Sequence, residues 1–113
     1  MLRRRICKAL VEQPRFAENE LGLSPRQWPE WLMLLDLYAI EQQEMEEGFR
    51  QFTRASGMSE TTAFRRTIEL INAGVLDRIP HPHDRRRSFI RLSAETRTKM
   101  DEVMDGLAAL LFA

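Results

Sequence analysis

Three consecutive arginines, Arg85, Arg86 and Arg87, follow Asp84 in the stretch "IPHPHDRRRSFIRLS". A guanidinium is always charged and offers a planar fork of donors that fits phosphates and guanine edges. Upstream, "SETTAFRR" places Ser59, Thr61, Thr62, Arg65 and Arg66 within a few helical turns. Hydroxyls and guanidinium groups at that spacing can hydrogen-bond base edges and the phosphates beside them. Other chemistries fit less well. His81, His83 and Asp84 are ligand types, but a short turn makes a poor metal cage, and a rigid loop is the simpler role. Cys7 lies among Arg3, Arg4, Arg5 and Lys8, which would favour its thiolate. A half-buried helix residue is the blander reading of that cysteine. No nucleophile–base pairing and no glycine-rich phosphate loop is recognisable, so neither catalysis nor a cofactor is expected.

The 113 residues carry 17 basic and 17 acidic side chains, and this balance hides a segregation. Residues 49–91 hold nine basic and four acidic groups, a net +5, while residues 21–48 hold one and six. What a nucleic acid meets is a basic face rather than the chain-wide sum. The length suits one domain with one modest core, and 43% hydrophobic residues is ordinary for such a domain. No apolar run approaches the roughly 18 residues of a membrane span, and the N-terminus does not resemble a signal peptide. One cysteine fits a reducing compartment. The expected location is the cytoplasm, on the nucleoid.

The elements that must position these residues read mostly as helices. Leu2, Ile6, Ala9 and Leu10 predict a short amphipathic helix over 2–12 that ends before Pro14, with "RFAENELGLS" as a connector. Ser24-Pro25-Arg26-Gln27 is a capping-box pattern, followed by an apolar helix from Pro29 to about Gln42. Trp28 and Trp31 read as core and interface aromatics. A further helix over 45–56 stops at Gly57. Ser59 caps the next helix, 60–73. There Ala63, Phe64, Thr67, Leu70 and Ile71 share one face, and Thr61, Thr62, Arg65, Arg66 and Glu69 the other. "VLDRI" and "SFIRL" alternate as two strands joined by a loop over 80–87. Ser93 caps a last helix over 94–112 with a stripe of Met100, Val103, Met104, Leu107, Leu110 and Leu111. This order, mainly α with a small β-hairpin, describes a winged helix-turn-helix. The single domain divides into an N-terminal helix and connector (1–20), the winged helix-turn-helix (24–93) and a C-terminal helix (94–113).

"LINAGVLDRIPHPHDRRRSFIRLS" resembles the MarR family of bacterial transcription regulators. Leu70, Gly74, Val75, Leu76 and Arg78 match the first half of the family pattern. Pro82, Asp84, Arg86, Leu92 and Ser93 match the second half, around the wing. "RASGMSETTAFRR" resembles the helix-turn-helix of the same group, so the likeness covers about residues 24–100. His81 stands where the family usually has Asp, and Thr96 where Gly is common. The terminal helices are shorter than is typical, which implies a reduced dimerisation layer.

The resemblance implies a sequence-specific regulator that binds double-stranded DNA as a homodimer on a pseudo-palindromic site. The helix over 60–73 would lie in the major groove. Ser59, Thr61, Thr62, Arg65 and Arg66 would contact bases and nearby phosphates. Arg85, Arg86 and Arg87 would reach backbone or minor groove, and Asp84 would orient Arg86. Leu2, Ile6, Leu10, Met104, Leu107, Leu110 and Leu111 are the expected subunit contacts. A small-molecule effector is a further partner that the family implies. The alternative class is a protein-interaction module whose acidic surface around Glu41–Glu47 docks a partner, with DNA binding weak or lost.

Overall fold

The computed structural model describes residues 1–112. Nine elements follow in order: α1 (Leu2–Leu21), a 3-10 turn (Pro25–Gln27), α2 (Trp28–Gln42), β1 (Glu47–Gly48), α3 (Phe49–Arg54), α4 (Glu60–Asn72), β2 (Leu76–Pro80), β3 (Ser88–Leu92) and α5 (Ala94–Phe112). α4, both hairpin strands and α5 lie within a residue of the expected bounds. So does α2, entered through the Ser24–Gln27 capping box.

Three features depart from expectation. α1 does not stop at Pro14 but runs through it for 20 residues, to a left-handed Gly22 cap. The ring removes one hydrogen bond, that of residue 14 to the carbonyl of Leu10, and both residues lie on the exposed side. Packing on the other side outweighs that loss, because α1 lies antiparallel along α5. Arg5 reaches the carbonyl of Leu111 at 3.4 Å, and Phe16 sits against Gly106. A Cβ at Gly106 would lie 2.8 Å from the Phe16 ring, so this glycine is what lets the two helices approach. The layer formed by the terminal helices is therefore larger than the sequence implies.

The second departure is the expected helix over 45–56. Its first residues form the two-residue strand β1, and only Phe49–Arg54 is helical. β1 pairs antiparallel with β3 (Glu47 opposite Ile90), so the hairpin becomes a three-stranded sheet of order β1-β3-β2. The edge of β3 needed a partner, and Gly48 can also cap α3, its N–H donating to Gln51 Oε1. The third is Phe64. Ala63, Thr67 and Leu70 are buried as expected, whereas Phe64 is 52% exposed.

One core joins the layers. Trp31, Leu34 and Leu37 of α2 pack with Phe52, Leu70, Leu76, Ile90, Leu92, Met100 and Val103. Polar ties cross it. The Trp31 indole N–H donates to Gln13 at 2.7 Å, and the Tyr38 hydroxyl donates to Asp101 at 2.6 Å. That bond pushes the Tyr38 pKa up to about 12, because the phenol must keep its proton to donate it. Overall dimensions of 51 × 28 × 22 Å reflect a winged lobe with the α1–α5 pair extending from it. Among the described residues no helix is long and apolar enough to cross a membrane.

Candidate nucleic-acid interface

The turn between α3 and α4 begins at Gly57, whose φ of +76° suits a residue without a side chain. Ser59 then caps α4. Its Oγ accepts from the Thr62 N–H at 3.3 Å and donates to Thr62 Oγ1 at 2.8 Å. Ser59 and Thr62 are thus tied to each other, while Thr61 stands exposed beside them. Glu60 follows in the first turn, an acidic residue at a helix N-terminus, as the helix dipole favours.

Arg65 and Arg66 are sequence neighbours with opposite fates. Arg65 is exposed and has no ion-pair partner among the described residues. Arg66 donates to Glu30 Oε1 at 2.6 Å. The Glu30 side chain is only 6% exposed, and its second oxygen is buried with no partner. A buried carboxylate needs a counter-charge, so Arg66 is held as a structural cation. The expected DNA-contacting residue Arg66 is thus engaged with Glu30 in this structure, with its side chain still partly exposed. Its signal in sequence would have been Glu30 on an otherwise apolar helix.

The wing is built by backbone bonds. His81 N–H donates to the Arg87 carbonyl and Arg87 N–H to the Asp84 carbonyl, each at 3.1 Å. Inside that turn, His81 Nδ1 accepts two backbone N–H groups, from His83 at 3.1 Å and from Asp84 at 3.0 Å. The imidazole thus supplies the acceptor that a side-chain carboxylate would supply in an Asx turn. Its ring also packs on Phe89, with centroids 5.4 Å apart. Asp84 Oδ1 accepts the Arg86 backbone N–H at 3.0 Å, but stands 3.9 Å from the Arg86 Nε. The carboxylate thus fixes the turn more than it holds the guanidinium, and the Arg86 side chain is 95% exposed. Arg85 and Arg87 are exposed too. His81, His83 and Asp84 do not converge as a metal site, and no such cluster occurs among the described residues.

Other charges are spent. Arg97 pairs with Glu41 at 2.7 Å, and Glu41 also accepts the Leu92 N–H. Arg91 pairs with Glu46. The acidic stretch is thus partly neutralised by the sheet and α5. Between the end of α1 and α4 lies an open cleft of about 470 Å³, lined by Leu21, Leu23, Arg26, Glu30, Arg65 and Arg66 among others.

The expected subunit contacts divide into two groups. Leu2, Ile6 and Leu10 are 60%, 42% and 61% exposed. Met104, Leu107, Leu110 and Leu111 are half-buried within the chain, where α5 lies against α1. Val11 is as exposed as Leu10, and Phe112 is more so.

No family model matches this chain. No curated protein matches it either. Solved structures do. The transcriptional regulator Tm0710 from Thermotoga maritima is 21% identical, covering 96% of this chain and 71% of its own, with a TM-score of 0.68. AbsC, a MarR family transcriptional regulator from Streptomyces coelicolor, is 17% identical over 96% of this chain and 69% of its own, with a TM-score of 0.64. Overoxidized AbfR bound to DNA is 20% identical over 88% and 69%, with a TM-score of 0.59. The chain has the winged helix-turn-helix fold of MarR-family transcriptional regulators.

Proposed function

We propose that this protein is a MarR-like regulator of transcription that binds double-stranded DNA as a homodimer. α4 enters the major groove with Thr61 and Arg65 toward the bases, and the Ser59–Thr62 cap at its leading end. The wing carries Arg85, Arg86 and Arg87 to the backbone or the adjacent minor groove, on a turn that Asp84 and His81 hold. The observation that carries this reading is that Arg65, Arg85 and Arg87 have no ion-pair partner among the described residues and Arg86 only a 3.9 Å contact with Asp84, whereas Arg66, Arg91 and Arg97 are closely paired. Exposed guanidinium groups on this helix and this loop suit phosphate and guanine contacts. A fold neighbour solved on DNA supports the same reading. Leu2, Ile6 and Leu10 would pair about a two-fold axis, with α5 supplying Met104, Leu107, Leu110 and Leu111 behind them. A small-molecule effector belongs to the same reading as a further partner, and the open cleft beside Arg66 is the candidate place for it.

The test is a gel shift on random duplex. About six to ten phosphate contacts per dimer predict retention at about 50 mM salt and a loss of affinity on the order of 10³–10⁵ by about 200 mM. A flat salt response, or no retention at all, would sink the DNA reading. The protein-interaction module would then be favoured, although Glu41 and Glu46 are already engaged by Arg97 and Arg91.

A further inference from the structure

An exposed phenyl ring where the apolar face of a helix borders its polar face calls for a reason. Phe64 is 52% exposed, yet its side chain is not loose. It meets the Phe49 ring edge-on, with centroids 5.6 Å apart and planes at 70°. The Arg78 guanidinium lies over that Phe49 ring, 4.2 Å from its centroid, and the Arg78 Nε donates to Ser88 at 2.9 Å. Phe64 therefore rests on Phe49 of α3, a ring that Arg78 of β2 covers while tied to Ser88 of β3. On α4 it shares an arc of about 100° with Thr61, Arg65 and Ile68. This is the sector that the DNA reading turns toward the major groove, on the flank nearest the wing. A rigid apolar surface there has one apolar feature to meet on a base edge, the 5-methyl group of thymine.

We propose that Phe64 is a specificity-determining residue that seats its ring against a thymine 5-methyl in each half-site. The proposal rests on the DNA-binding reading above and goes beyond it by naming the base. Arg65 supplies the hydrogen bonds of the readout, and its neighbour Phe64 supplies the apolar contact. Thr61 and Ile68 lie on either side of the ring along the helix. Ile68 is half-buried, so Phe64 is the large apolar group standing furthest out in this sector.

The test replaces thymine by deoxyuridine, one position at a time, in duplexes selected by the unmodified protein from a random pool. This change removes only the methyl group. At one position per half-site, binding should weaken about fourfold, the cost of one uncovered methyl-sized group. Phe64→Ala should bind the thymine duplex more weakly and should no longer distinguish thymine from deoxyuridine there. Phe64→Leu, which keeps an apolar side chain over Phe49, should retain some of the discrimination. Circular dichroism checks that the variants fold, and the deoxyuridine scan on the unmodified protein needs no variant. Equal binding to every deoxyuridine duplex would overturn the proposal while leaving DNA binding intact. So would a Phe64→Ala loss that is uniform across thymine, deoxyuridine and random duplexes, since the ring would then touch only the backbone. Failure of the unmodified protein to retain any duplex at low salt would overturn the parent reading, and this one with it.

Discussion

The winged lobe and the α1–α5 pair solve opposite problems. The lobe hides most of its apolar side chains in one core, with Phe64 among the exceptions, and leaves arginines exposed on α4 and the wing. The pair leaves Leu2, Ile6, Leu10 and Val11 in water. Each large apolar side chain removed from water contributes about 1.5–3 kcal/mol, so this stripe is the region of the molecule with most to gain from a second copy. On the proposed reading, what each region leaves uncovered matches its partner: a polyanion for one, an identical stripe for the other.

The largest way to break the comparison is to charge the stripe. Ile6→Asp with Leu10→Asp should give monomers by light scattering, with helix content kept because both residues are exposed. Specific affinity should fall by a factor on the order of 10²–10⁴, as bivalent binding to two half-sites is lost. A dimer that persists would place the subunit contact elsewhere. The α5 residues are poorer targets, since Leu107 already packs against the core of its own chain.

The second contrast lies between neighbours. Arg66→Ala should destabilise the fold by about 2–4 kcal/mol, because it strands the buried Glu30 carboxylate. The range is set below that of a wholly buried pair because the Arg66 side chain is 29% exposed. Urea unfolding would show it. Arg65→Ala should leave stability unchanged within about 0.5 kcal/mol yet cost roughly 1–3 kcal/mol of binding to the best site. If the two variants behaved alike in both assays, the division of roles between them would be wrong.

A smaller effect probes the joint between the helices. Gly106→Ala should cost about 1–3 kcal/mol by forcing Phe16 aside, and thermal unfolding would record it. The smallest is at the wing. His81→Asp should bind DNA as the unmodified protein does, because a carboxylate can accept the same two N–H groups. His81→Ala should cost about 1 kcal/mol of binding by freeing the turn. Titration on a selected duplex would separate the two.

Much of the fold is legible in the sequence. The hairpin strands and α4 carry strong local signals: alternation, a Ser59 cap and glycines at either end. α1 reads short because Pro14 is a local veto, and its override comes from α5, nearly a hundred residues away. β1 escapes notice since two residues show no period. In the site, the exposed arginines of the wing are legible from their run and its flanking turn. The fate of Arg66 is not, because helical spacing gives a direction and says nothing of Glu30 across the groove. Phe64 sits at the edge of the apolar arc, where a few degrees of helix rotation decide between core and surface.

The hydrogen bond from Trp31 to Gln13 ties the winged lobe to α1 one residue before Pro14. That indole is 1% exposed, whereas Trp28 is 38% exposed. The molecule therefore carries two fluorophores at different depths. Iodide should quench Trp28 and leave Trp31 bright, so the emission that survives reports on the joint between the lobe and the helical pair. A ligand or a DNA duplex that changes the angle at that joint would move the protected band without any attached dye.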